Sequence, residues 1–196
     1  RDIAETAAGA VLAQLAVGDA KTQDYLTDGL KALRRRLRAH GRALGDVKDK
    51  DPPQAVQHLV WEVAYEHWHR MLFARFLAEN GLLMWEPGAS VSLDDCRDMV
   101  DNHPDMALDA KSHWELAGKL AARMLPQVFK PQSPVFELAF APEHQRGLER
   151  LLAALPTEVF KASDSLGWVY QFWQAKRKDE VNASEVKVGA DELPAV

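Results

Sequence analysis

A single cysteine, Cys96, stands in 196 residues. One thiol cannot build a disulfide framework or a cysteine-rich zinc site, and it fits a reducing compartment. No run approaches the roughly 20 apolar residues that a membrane helix needs. No signal peptide opens the chain, and no initiator Met precedes Arg1, so Arg1 reads as an internal start. None of the eleven glycines falls in a G-x-G-x-x-G or G-K-[ST] arrangement, so no phosphate-cradling loop is encoded. Strands do not alternate with helices, and no 20-to-50-residue repeat is visible, which excludes doubly wound and solenoid plans.

What is present is ordinary for a globular chain. Hydrophobic residues make up 47% and charged residues 27%. The length suits one domain, or two small ones, able to bury roughly 70% of its unfolded surface. The net charge of -5 argues against a dedicated nucleic-acid coat, but the charge is uneven. Residues 31–50 carry eight basic side chains against Asp46 and Asp49, so that window is +6 and the remainder -11. Residues 94–109 run the other way, with six aspartates against Arg97 alone. Such asymmetry creates local fields that the net charge hides.

The apolar spacing predicts an all-α fold, an irregular orthogonal bundle of about seven or eight helices with at most one short extended segment. The expected helices cover 2–17, 22–44, a long strongly amphipathic one from Pro52-Pro53 to Asn80-Gly81, 93–100, 110–125, 142–155, a turn at Pro156-Thr157, and 166–185. The long helix is expected to be central, with Val56, Leu59, Val60, Val63, Trp68, Leu72, Phe76 and Leu77 buried. In the second helix Tyr25, Leu26, Leu30, Leu33, Leu37 and Leu44 are expected inside and the arginines outside. Ser92-Leu93-Asp94-Asp95 reads as a capping box. Val135–Phe140 reads as a short strand or an extended core segment.

Several constellations carry the letters of a chemistry. Asp51-Pro52-Pro53-Gln54 resembles the start of an amino-methyltransferase motif, whose polar group and backbone carbonyl hold the target amine while an aromatic stacks on the flipped base. Position 54 is Gln, so the reading preferred here is Asp51 as a helix cap with proline in the first turn. Pro104-Asp105 with Asp109-Ala110-Lys111 matches a nuclease pattern in which two carboxylates hold Mg²⁺ and a lysine orients water. Those residues normally project from adjacent strands, and this stretch reads as a solvated acidic loop. Glu66 and His69 have the Glu-x-x-His spacing of helix-bundle metal sites, but no second copy exists. Cys96 has no base or oxyanion site beside it and reads as structural. No catalytic, cofactor-binding or metal residue is therefore assigned.

Two segments point toward nucleic acid. Lys31, Arg34, Arg35, Arg38 and Arg42 lie along one helix, and an arginine row of this kind can straddle phosphates. Trp168-Val169-Tyr170-Gln171-Phe172-Trp173 runs into Lys176, Arg177 and Lys178, which would place stacking rings beside phosphate contacts. The competing readings are a solvated helix face and a packing face with a charged end.

The second segment also carries a resemblance. Leu166-Gly167-Trp168-Val169-Tyr170-Gln171-Phe172-Trp173 followed by Lys178-Asp179-Glu180-Val181 resembles a stretch of the large adenine-specific DNA methyltransferases of bacterial phage defence. These are the PglX enzymes of BREX and the related methyltransferase of DISARM, similar in plan to type IIG restriction-modification methylases. Ala64–Leu77 resembles their early aromatic-Arg-aromatic helix, and the Arg34–Gly41 segment fits as well. The resemblance implies that residues 1–186 are an N-terminal helical domain and 187–196 the start of a linker toward a methyltransferase domain. It implies S-adenosylmethionine for the parent enzyme and no cofactor for this piece. It further implies a bacterial cytoplasmic location and three partners: the parent's own catalytic domain, DNA, and other defence-system proteins. A docking domain for those proteins and a divergent nuclease module are the alternatives.

Overall fold

A computed structural model describes residues 1–48, 53–161, 164, 167, 171 and 173–175. The chain divides into two compact units, Arg1–Leu155 and Pro156–Val196, a boundary the sequence reading did not draw. Residues 187–196, the expected linker, lie outside the described residues, as do most of 166–185.

The first unit is a helical bundle, as expected. Its α-helices are α1 (Asp2–Gln14), α2 (Asp28–Ala43), α3 (Gln57–Glu79), α4 (Leu93–Asn102), α5 (His113–Met124), α6 (Pro126–Phe129) and α7 (Pro142–Ala153). The second unit contributes α8 (Thr157–Lys161). Extended structure falls elsewhere than expected. Residues 134–137 form a 3-10 turn opened by Pro134, and Leu138, which follows it, is extended. The strands are instead β1 (Met84–Glu86) and β2 (Ala89–Ser90), an antiparallel hairpin. Pro87-Gly88 makes its turn, with Gly88 at φ +87, a conformation glycine adopts without a Cβ penalty.

Helix ends explain the shifts in boundary. The second helix begins at Asp28 rather than Thr22 because the Thr27 hydroxyl accepts from the Leu30 N–H at 3.3 Å. It ends in a Schellman motif: Gly45 sits at φ +108, its N–H reaches the Arg42 carbonyl, and the Asp46 N–H reaches Gly41. The expected capping box opens α4, with Ser92 Oγ accepting from the Asp95 N–H at 3.0 Å and Asp95 Oδ2 accepting from the Ser92 N–H at 2.8 Å. The third helix starts at Gln57, so Pro53 lies ahead of its first turn instead of inside it. Asp51 and Pro52 lie outside the described residues.

α3 is the central helix, packed by α1, α2, α5, α7 and the 3-10 turn. It is not amphipathic: from His58 to Glu79 no residue is exposed. Leu59, Val63, Leu72 and Leu77 are buried as expected. Val56, Val60, Trp68 and Phe76 are only half-buried, while Ala64, His67, Met71, Ala74 and Arg75 are buried unexpectedly. One core joins Ala74 and Leu77 of α3 to Leu116, Ala117, Leu120 and Ala121 of α5, and includes Cys96 and Phe129.

Candidate nucleic-acid interface

The basic residues of α2 divide by their angle around the helix. Leu33, Arg34, Leu37 and Gly41 form its buried face. Arg34 is only 5% exposed, which corrects the expectation that every arginine points outward. Its guanidinium gathers the loop after α1: Nε donates to the Ala16 carbonyl at 2.9 Å, Nη1 to Thr22 Oγ1 at 3.3 Å, and Nη2 to the carbonyls of Asp19 and Lys21 at 2.6 and 3.2 Å. Ala16 needs such support, because it closes α1 in the left-handed region at φ +52 without being glycine.

Lys31, Arg35, Arg38 and Arg42 sit at i, i+4, i+7 and i+11, which places them in one row. Arg35 is exposed and has no hydrogen bond or ion pair among the described residues. Arg38 is half-buried and sends Nη1 to the Val17 and Asp19 carbonyls. Its pKa is lowered, first by burial and then by the neighbouring positive charges of Arg34 and Arg42, against the pull of Asp19. Arg42 is exposed and donates from Nη1 to Gln54 Oε1 at 3.0 Å. Among the described residues Lys31 reaches only Asp28, itself fully exposed, at 3.8 Å. Arg36 faces another way and grips Glu137 of the 3-10 turn with both Nη groups. Lys176, Arg177 and Lys178 lie outside the described residues.

A buried polar seam joins α2 to α3. The Asp46 carboxylate, 2% exposed, accepts from the His58 N–H at 2.9 Å and the Leu59 N–H at 3.1 Å, so it caps α3 from the end of the preceding helix. Gln54 is fully buried and donates to the Arg38 carbonyl at 2.9 Å. Gly41 lets the helices approach: a Cβ there would stand 2.9 Å from Asp46 Oδ2. The side chain at the position of the methyltransferase aromatic is thus spent on packing.

Charged groups on α3 also serve the fold. Arg75, 6% exposed, donates from Nη1 and Nη2 to the carbonyls of Leu152 and Leu155, satisfying the C-terminal end of α7. His67 is hydrogen-bonded through Nε2 to the Val135 carbonyl at 3.0 Å, and burial, with Arg70 adding to it, lowers its pKa to about 4. It is therefore a neutral donor. His69 stacks on Tyr65 with ring centroids 5.0 Å apart, and burial lowers it to about 4. Glu66 is pushed up to about 7 by burial and by Glu62, against Lys130 and Arg70. Among the described residues no group of three or more His, Cys, Asp or Glu side chains is placed to hold a metal.

The remaining motifs are separated from any such geometry. Asp105, Asp109 and Lys111 are exposed in the turns and bend between α4 and α5, not on paired strands. Leu108 and Asp109 are both left-handed there. Burial pushes the Cys96 thiol up to about 12, far from a nucleophile's range.

Sequence reasoning missed Asp46, Gln54, His67 and Arg75. Arg34 and Gly41 had a signal, since they share the helical face of Leu33 and Leu37. Comparison with known proteins adds nothing to these observations: no family profile, curated protein or solved structure matches the chain. Among the described residues no helix is long and apolar enough to cross a membrane.

Proposed function

We propose that the chain is a non-catalytic helical domain of an S-adenosylmethionine-dependent DNA adenine methyltransferase in a bacterial phage-defence system. Its part is to support the catalytic domain, while the parent transfers a methyl group to the exocyclic amine of an adenine flipped from the duplex. The observation that carries this reading is the role of the block that bears the resemblance. Ala64–Leu77 lies within the central helix, and the second of its two arginines, Arg75, ties that helix to the end of α7. A sequence block spent on the framework suits a supporting domain.

The test is methyl transfer from labelled S-adenosylmethionine to duplex DNA by the intact gene product, by the same product without residues 1–186, and by residues 1–196 alone. The expected result is adenine methylation by the intact product, a large loss on deletion, and no turnover by 1–196. Transfer by 1–196, or none by the intact product, would sink the reading. Methylation untouched by the deletion would favour the docking role instead.

A further inference from the structure

We infer that the α2 row Lys31, Arg35, Arg38 and Arg42 is a contact surface for the phosphate backbone of duplex DNA, an inference that rests on the methyltransferase reading. The row keeps its charge although three of its members touch other groups. Arg38 and Arg42 are bonded to neutral carbonyls and an amide, and Arg34 beneath them likewise meets only carbonyls and a hydroxyl. No carboxylate lies within ion-pair distance of Arg34, Arg35, Arg38 or Arg42 among the described residues, whereas Arg36, two positions from Arg34, is fully paired with Glu137. Arg34, Arg38 and Arg42 follow one another at every fourth residue, where like charges repel. Asp19 offsets that repulsion only at longer range, since it forms no ion pair with Arg38, and a polyanion outside the chain relieves the rest.

Donor geometry agrees. A guanidinium has five N–H groups in a fixed fork. Among the described residues Arg38 and Arg42 each use only Nη1, with no partner for Nη2 or Nε, and Arg35 uses none. The row is also stiff. Arg34 and Arg38 fix the 15–22 loop on one side, and Gln54 and Asp46 fix the chain after α2 on the other. From Lys31 to Arg42 the rise is about 16 Å, somewhat more than the roughly 12 Å width of a major groove. Contacts of this kind position a protein without reading sequence.

The experiment measures binding of the 1–196 chain, and of the intact gene product, to a fluorescent duplex of arbitrary sequence across a salt series. The variant is Lys31→Glu with Arg35→Glu, two side chains that support no other element of the fold. The control is Arg146→Glu with Arg150→Glu, exposed positions on α7 that change net charge equally. The row predicts a loss of about tenfold or more for the first pair and a salt slope shallower by about 1.8, two phosphate contacts at about 0.9 each. The control should stay within about threefold. Arg42→Gln supplies a second, milder loss with circular dichroism unchanged. Equal effects of both pairs, no binding at low salt, or tighter binding to single-stranded RNA than to the duplex would each overturn the assignment. If the intact product methylates adenine while the first pair changes nothing, the row fails and the methyltransferase reading stands. If the row governs binding but the intact product transfers no methyl group, that reading fails and the row stands.

Discussion

Replacing Asp46 with alanine should cost about 3 kcal/mol, a large part of a domain's usual 5–15 kcal/mol. The carboxylate holds two backbone N–H groups at the start of α3, His58 and Leu59, and both of its oxygens are used. Losing a capping side chain costs about 1 kcal/mol. Leu59 is fully buried, so its N–H cannot turn to water, and a stranded buried donor adds about 1–3 kcal/mol. His58 is half-buried, so its N–H recovers part of its loss by hydration. At this chain length the melting temperature should fall by about 6–12 °C. Gly41 supplies an internal check. In the wild type Gly41→Ala pushes a methyl group to 2.9 Å from Asp46 Oδ2 and should cost about 1–3 kcal/mol. Once Asp46 is alanine that contact is gone, and the remaining neighbours, Gln54 Nε2 and Leu59 Cβ, stand at an ordinary 3.5 Å. The same Gly41→Ala change should then be neutral, or stabilise by up to about 1 kcal/mol through helix propensity. Urea titrations of the four proteins give the double-mutant cycle. A Gly41→Ala cost that is the same in both backgrounds, or an Asp46→Ala cost below about 1 kcal/mol, would refute the capping argument.

Glu66 should make stability fall as pH rises. Its carboxyl is raised from 4.5 to about 7, so between these values the folded chain binds more protons than the unfolded one. The penalty grows through that window and is complete above it. Its ceiling is about 3 kcal/mol, and solvent screening of the partly exposed group brings it to about 1–2 kcal/mol. Glu66→Gln should abolish the slope and be more stable than wild type at pH 8; a parallel slope in both proteins would contradict this. Arg34→Lys should cost about 2–4 kcal/mol, because one ammonium cannot serve the four acceptors that the guanidinium reaches. An unchanged urea midpoint would show that the 15–22 loop is held otherwise. Cys96 should react with iodoacetamide at pH 8 at least about a hundredfold more slowly in the folded chain than in urea, since the thiol is buried and almost fully protonated.

Some local signals were legible where the partner lies close in the chain, although the Thr27 cap three residues from Leu30 was not. Ser92 and Asp95 are three residues apart and cap α4 as their letters suggest, and Pro142 opens α7. The all-α class followed from apolar spacing. The place of α3 as the central helix followed from its length. What surrounds α3 did not follow, because the groups that bury its polar residues come from far along the sequence. His67 meets a carbonyl 68 residues away, and Arg75 meets carbonyls 77 and 80 residues away. A spacing rule can say that such a side chain faces inward; it cannot say which carbonyl waits there.

The basic helix shows the same division within four consecutive positions. Leu33, Arg34, Arg35 and Arg36 differ by about 100° steps around the axis. That rotation alone sends one arginine into the α1–α2 loop, one to solvent and one to Glu137. Composition registers three equal charges. The helical face shared with Leu33 and Leu37 already separates Arg34 from Arg35, and reading it assigns the first to the fold and leaves the second for a partner. The distinction has a consequence for every charge-reversal test on this helix: a variant that includes Arg34 unfolds the loop it holds and mimics a lost contact, whereas Lys31 and Arg35 report on binding alone.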